Sequence, residues 1–304
     1  MEGRVIVTGA GGLLGGPAIA ALRAAGFHVI AVSRSQPIAM AHETVAADLL
    51  DPESRGAAIK AARATHLLHL AWHSGNEGRW TAPENQEWAH ATKELGREFA
   101  AAGGGRAVFA GSCAEYDWSF PVLSESTPLK PRTRYGEAKA EAGEWLIAQG
   151  PGLGLSVAWA RIFFCFGPNE PQGRLLGDLV NGLFAGQLVE CTDGLQERDF
   201  LHTSDVGRAL TSVLAAERAG AVNIGSGIAT PVRDVIRVTA ELIGRPDLVR
   251  LGARPRPDDD PPKLVADIAT LASTGFRPTF GIRDGLEDVV DAARELLASS
   301  GRAP

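Results

Sequence analysis

Short apolar runs rich in β-branched residues recur at positions 5–7, 29–32, 45–46, 67–70, 108–110 and 155–160, separated by longer stretches with helical spacing. Regular alternation of this kind predicts a parallel sheet with helices packed on both faces. The helix expected over 84–102 carries Trp88, Ala91, Leu95, Phe99 and Ala102 at spacings of three and four, an apolar stripe along one side. Beyond about residue 165 the pattern breaks into Gly- and Pro-rich connections, among them Gly167-Pro168, Pro171, Gly173 and the run from Arg254 to Pro262, the character of ligand-binding loops. The segment Ala221-Val222-Asn223-Ile224-Gly225 reads as one more buried strand, so the chain returns to the sheet. The expected division is a main α/β domain over 1–165, with a return at about 201–225. A smaller, discontinuous domain is assembled from 166–200 and 226–304.

Composition changes this picture little. The 304 residues are 45% apolar and 22% charged, with a formal net charge of −6, so no sequence-wide basic face exists for nucleic acid or an anionic membrane. Anionic ligands must be met by local arginines. The apolar run at 5–7 is too short for a signal peptide or a membrane span. Cys113, Cys165 and Cys191 are odd in number and widely spaced, which points to a reducing, cytoplasmic setting and to no metal site.

The first strand runs into Thr8-Gly9-Ala10-Gly11-Gly12-Leu13-Leu14-Gly15, followed by a helical pattern to Ala25. Glycine at 9 permits a tight turn, at 12 lets backbone approach a pyrophosphate, and at 15 allows close helix packing, with phosphate at the helix N-terminus. A strand, this loop and a helix together predict a Rossmann dinucleotide site, with Leu13 and Leu14 in the loop. The second strand ends Ser33-Arg34, with no carboxylate to repel a 2′-phosphate and one guanidinium suited to bind it, so NADP is expected ahead of NAD. Asp48-Leu49 follows the third strand and is expected at the adenine edge, with capping of the helix near Pro52 as the alternative role for Asp48.

Tyr135 and Lys139 stand four residues apart, on one helical face. An ammonium beside a phenol stabilises phenolate and makes the tyrosine a usable proton carrier. Ser112 lies just past a strand, at the carboxyl edge where ligands of open α/β sheets bind.

With these residues the chain resembles the extended short-chain dehydrogenases/reductases, specifically the group of nucleotide-sugar epimerases, dehydratases and reductases. The resemblance rests on the glycine loop, Ala47-Asp48-Leu49, His69-Leu70-Ala71, Gly111-Ser112-Cys113-Ala114-Glu115-Tyr116, Tyr135 with Lys139, Arg161 through Gly167-Pro168, Arg198-Asp199-Phe200-Leu201-His202 and Asn223-Ile224-Gly225-Ser226-Gly227. It implies Tyr135 as acid/base, Lys139 on the nicotinamide ribose and Ser112 on the reacting sugar oxygen. Leu70 and Ala71 then line the dinucleotide, Arg198 and Arg256 clamp a diphosphate, and His73 and Glu115 meet substrate, Glu115 by supporting its loop or contacting a hydroxyl. It also implies a homodimer built on the helices over 84–102 and 135–149. Two departures stand out. Phe164 replaces the group's asparagine after the sixth strand, and the segment from Trp72 to Trp80 is unusually aromatic for the loop after the fourth. His202, Cys165 and Cys191 receive no chemistry.

The leading expectation is an NADP-dependent reductase of a keto group on a nucleotide-linked deoxysugar. An NAD-dependent epimerase uses the same three residues and is the alternative, and a non-catalytic redox sensor would not need the Tyr135/Lys139 pair. A 4,6-dehydratase is not expected. That group carries an aspartate and a glutamate directly after its catalytic threonine, and here those positions are Cys113 and Ala114.

Overall fold

The computed structural model describes residues 3–73 and 78–299. Strands β1 (Arg4–Thr8), β2 (His28–Ser33), β3 (Glu43–Ala46), β4 (His66–His69) and β5 (Arg106–Ser112) join strands Ser156–Ile162 and Gly220–Ile224 in a seven-stranded sheet. Its order is Gly220–Ile224, Ser156–Ile162, β5, β4, β1, β2, β3, and every pairing is parallel. The fold is the doubly wound α/β sheet read from the pattern, and the strand order reverses between β1 and β4. At such a reversal the connecting chains leave in opposite directions and open a crevice at the carboxyl edge.

Helices α1 (Gly15–Ala24), α2 (Pro52–Ala62), α3 (Glu84–Ala101) and α4 (Arg134–Gln149) flank the sheet. One core gathers Val5, Val7, Ile19 and Leu22 against Val206, Leu210 and Val213 of the helix Thr203–Ala215. The other gathers Ile6, Ile30 and Leu67 against Leu95, Phe99, Leu146 and Trp159. The strands are therefore apolar on both faces, which explains why they appear in the sequence as continuous runs and not as alternation. The stripe expected on α3 is realised at Ala91, Leu95 and Phe99, all buried.

After Ile162 the chain leaves the main sheet. Helices Leu175–Phe184, Val232–Ile243 and Ile282–Ser299 share a third core with Phe166, Leu176, Leu179, Val235, Ile236 and Leu286. A small sheet built on strand Glu197–His202 connects this layer to the main one. Asp199 fastens that junction: its buried carboxylate accepts from the backbone amides of Ser226, Gly227 and Ala266 and from Ser226 Oγ. Among the described residues no helix is long and apolar enough to cross a membrane.

Candidate active site

The glycine loop sits at the sheet reversal. Gly9 has φ +69°, and a Cβ at Gly15 would lie 2.1 Å from the Ala10 carbonyl oxygen, so only glycine lets α1 start this close to β1. Leu14 precedes the helix without a side-chain cap and its first turn carries no acid. In that first turn the Gly15 amide donates to the Gly12 carbonyl and Pro17 has no N–H, so the Gly16 amide is left to an external acceptor, and the positive end of the helix meets no internal anion. This cradle fits a dinucleotide pyrophosphate. Gly12 and Leu13 lie on its exposed rim, and Leu70 and Ala71 close it from the end of β4, held by the Ala71 amide donating to Thr8 Oγ1.

At the end of β2, Ser33 Oγ accepts from the Gln36 amide, and Arg34 is exposed. Leu49 is buried and Asp48 is exposed, its carboxylate accepting from the Leu50 amide. The alternative role weighed for Asp48 falls to another residue: Asp51 caps α2 by accepting from the Ser54 amide.

Ser112 ends β5 and opens a single 3₁₀ turn over Cys113–Glu115. Its amide donates to Glu115 Oε1 at 2.7 Å and its hydroxyl accepts from the Ala114 amide at 3.2 Å, a reciprocal cap that fixes the turn. Thr133 caps α4 through the Gly136 amide, which starts the helix one residue before Tyr135. A Cβ at Gly136 would lie 2.5 Å from the Ala114 carbonyl oxygen, so the absence of a side chain lets α4 dock on the Ser112 turn. The Tyr135 phenol lies near enough to the Ser112 side chain for Ser112 to favour its ionised form. Lys139, one helical turn on, donates to the Ala110 carbonyl at 2.8 Å.

The electrostatics differ from the expectation that Lys139 lowers the Tyr135 pKa. Burial pushes the Tyr135 phenol up to about 12, against the lowering effect of the Ser112 side chain. Burial also pushes the Lys139 ammonium down to about 7, with Glu115 opposing. The same burial that raises the phenol therefore works against the ammonium beside it.

Glu115 is enclosed by its own protein partners. It is completely buried, and its carboxylate accepts from Trp159 Nε1 at 2.9 and 3.0 Å, from Arg161 Nε at 2.7 Å and from the Ser112 amide. Burial raises its pKa, with Arg161 opposing. Burial works equally against the Arg161 charge but is outweighed by Glu115 and Tyr116, so that guanidinium is held charged. Of the two roles weighed for Glu115, support of the loop is the one its geometry provides.

A cavity of about 600 Å³ opens between the small sheet and the third core, lined by Arg79, Phe164, Cys165, Glu170, Arg174, Thr192, Arg198, Arg254 and Asp260 among others. Arg198 faces it, but donates to the carbonyls of Glu197 and Pro261 and pairs with Asp260. Arg256 is partly exposed, 3.9 Å from Asp193, and does not line the cavity, whereas Arg254 does. Phe164 lines the cavity with the Arg198 guanidinium 5.4 Å from its ring centroid.

The aromatic segment that stood out in the sequence, from Trp72 to Trp80, brings rings against Tyr135 and Lys139. Trp72 places its ring 3.6 Å from Lys139 Nζ and donates through Nε1 to Asn85 Oδ1 at 2.8 Å. Asn85, fully buried, in turn donates to the carbonyls of Arg79 and Ala82. The rings of Trp72 and Trp80 meet Tyr135 edge-on, at 6.3 and 5.3 Å between centroids. His73 is partly buried at the start of this loop, and residues 74–77 of the aromatic segment lie outside the described residues.

Comparison with known proteins agrees with this geometry. The model of the NAD dependent epimerase/dehydratase family matches residues 5–225. A UDP-glucose 4-epimerase of Azospirillum brasilense is 26% identical over 99% of this chain and 94% of its own. UDP-glucuronic acid decarboxylase 4 of Arabidopsis thaliana is 29% identical over 56% of this chain, and the match spans only 39% of that protein. Among solved structures, MoeE5 in complex with UDP-glucose and NAD superposes with a TM-score of 0.84 at 31% identity, covering 97% of this chain and all of that one. MoeE5 in complex with UDP-glucuronic acid and NAD does so at 0.83 and 32%. The chain belongs to the NAD-dependent epimerase/dehydratase family of extended short-chain dehydrogenases/reductases.

Proposed function

We propose that the protein is an NAD-dependent nucleotide-sugar 4-epimerase, in which Tyr135 takes a proton from the sugar C4 hydroxyl and later returns it. The observation that carries this reading is the Ser112/Tyr135 pair beside a loop with no free acid: Cys113 is buried with its thiol pushed up to about 12 by burial, and Glu115 is enclosed. The Ser112 loop can serve one proton transfer at one hydroxyl but offers no second acid/base for eliminating water. The match to an epimerase along nearly its whole length supports the same reading.

When bound, the nicotinamide accepts and returns the hydride of the sugar carbon. Gly9, Gly12, Leu13, Leu14, Gly15, Ser33, Arg34, Asp48, Leu49, Leu70 and Ala71 hold the dinucleotide, within the portion 1–165 that returns at 201–225. Lys139 turns from the Ala110 carbonyl to the nicotinamide ribose, and Ser112 donates to the sugar C4 oxygen as charge develops there. The sugar nucleotide occupies the cavity formed with 166–200 and 226–304, its diphosphate met by Arg198 and Arg254, with Arg256 at the mouth and His73 at the sugar end. The protomers pair through α3 and α4, where Trp88 and Trp145 remain partly exposed, and sedimentation velocity tests for a dimer.

Incubation with UDP-glucose or UDP-glucuronic acid and catalytic NAD tests the reading: a C4 epimer forms without net NADH. A second reading, reduction of a keto sugar by NADPH, is favoured by Arg34 in place of an acid at the end of β2. It predicts stoichiometric NADPH consumption instead.

A further inference from the structure

Resting on the nucleotide-sugar reading above, we infer that the site is built for a sugar carrying a carboxylate, a hexuronic acid, and that Arg79 recognises it. Arg79 lines the cavity close enough to Tyr135, Cys165, Glu170 and Arg174 to feel the charge of each. Among the described residues its guanidinium donates no hydrogen bond and forms no ion pair. Its recorded contact is the face of Trp80, 4.8 Å from the ring centroid. Burial and Arg174 lower its pKa, which means that the position costs energy until an anion arrives.

The neighbouring charges are already committed. Arg174 pairs with Glu170 at 2.9 Å and donates to the Cys165 carbonyl, and Arg198 pairs with Asp260. Arg79, Arg174 and Glu170 therefore sum to one positive charge on the cavity wall, within electrostatic reach of Tyr135. Glu170 is nearly buried there and its Oε2 has no hydrogen-bond partner among the described residues, an acceptor suited to a sugar hydroxyl. A neutral hexose offers the uncommitted guanidinium only uncharged hydroxyl acceptors. A hexuronate does, because its carboxylate is attached at C5, next to the reacting C4, and a guanidinium binds a carboxylate in bidentate geometry.

The test is equilibrium binding by titration calorimetry of the purified protein, saturated with NAD, against UDP-glucuronic acid, UDP-glucose and UDP. We expect UDP-glucuronic acid to bind at least about tenfold tighter than UDP-glucose, the scale of a charged hydrogen bond. Arg79→Met should bring the ratio to about one, and Arg79→Lys should retain part of it. UDP binding in each variant, and its circular dichroism, report whether the fold and the diphosphate site survive. Equal affinities in the unmodified protein, or an undiminished ratio in a folded Arg79→Met, overturn the inference. Epimerisation of UDP-glucose with equal affinities would sink this inference and leave the epimerase reading standing. Selective binding of UDP-glucuronic acid without epimerisation would do the reverse.

Discussion

Removing the Glu115 carboxylate tests whether this residue serves the fold or the substrate. Glu115→Ala deletes the acceptor of three donors, Trp159 Nε1, Arg161 Nε and the Ser112 amide. It also leaves the Arg161 guanidinium, 5% exposed, with the Tyr116 hydroxyl at 3.1 Å as its remaining polar contact. Breaking one side of a buried pair costs about 3–5 kcal/mol. At roughly 2 °C per kcal/mol for a chain of this size, the melting temperature falls by about 6–10 °C. Arg161→Met should cost a similar amount. The double variant Glu115→Leu/Arg161→Met, which leaves no buried charge alone, should be at least about 2 kcal/mol more stable than the sum of the single losses. Urea unfolding of the four proteins, with UDP-sugar affinity measured on each, checks all of this. A loss below about 1 kcal/mol for Glu115→Ala, or additive losses, would refute the buried-pair account. Loss of UDP-sugar affinity at unchanged stability would return Glu115 to the substrate.

Tyr135→Phe should lower turnover about a hundredfold or more while dinucleotide affinity stays within a few-fold, and retained turnover would remove the tyrosine from the chemistry. Because burial lowers the folded-state Lys139 pKa to about 7, below its unfolded value, the unfolded chain binds the extra proton between about pH 7 and 10 and stability rises with pH across that window. Lys139→Met should therefore raise the melting temperature at pH 7 and flatten its rise between pH 7 and 9; an unchanged slope would show a solvated ammonium. Arg34→Ala should weaken NADPH by about 1.5–3 kcal/mol and NADH hardly at all, read by fluorescence titration, and equal effects on both would place Arg34 away from the 2′-phosphate position.

The sheet, its parallel direction and the helices α1, α3 and α4 were legible because strands buried on both faces appear as short apolar runs, and the helices between them carry an unbroken period. The glycine loop was legible because tight turns and close packing leave a residue type as their record. Side-chain partnerships were not. Glu115 reaches Trp159 and Arg161 across 44 and 46 residues of sequence, and nothing local distinguishes an acid that will be enclosed from one that will face a ligand. The Trp72–Asn85 bond hides likewise inside a loop whose aromatic excess was visible but whose geometry was not. The balance at Tyr135 and Lys139 was hidden for a related reason: helical spacing gives proximity, while burial opposes both charges.

The most direct test of the epimerase account is proton NMR of UDP-glucuronic acid and UDP-glucose incubated with the protein and catalytic NAD, followed through their anomeric signals. The account predicts that the signal of a C4 epimer grows to a constant ratio with total sugar conserved, with no accumulation of NADH, no loss of water or carbon dioxide, and no conversion by Tyr135→Phe. Accumulation of a 4-keto or decarboxylated sugar would contradict it, as would inert UDP-sugars together with NADPH-dependent reduction of a keto sugar.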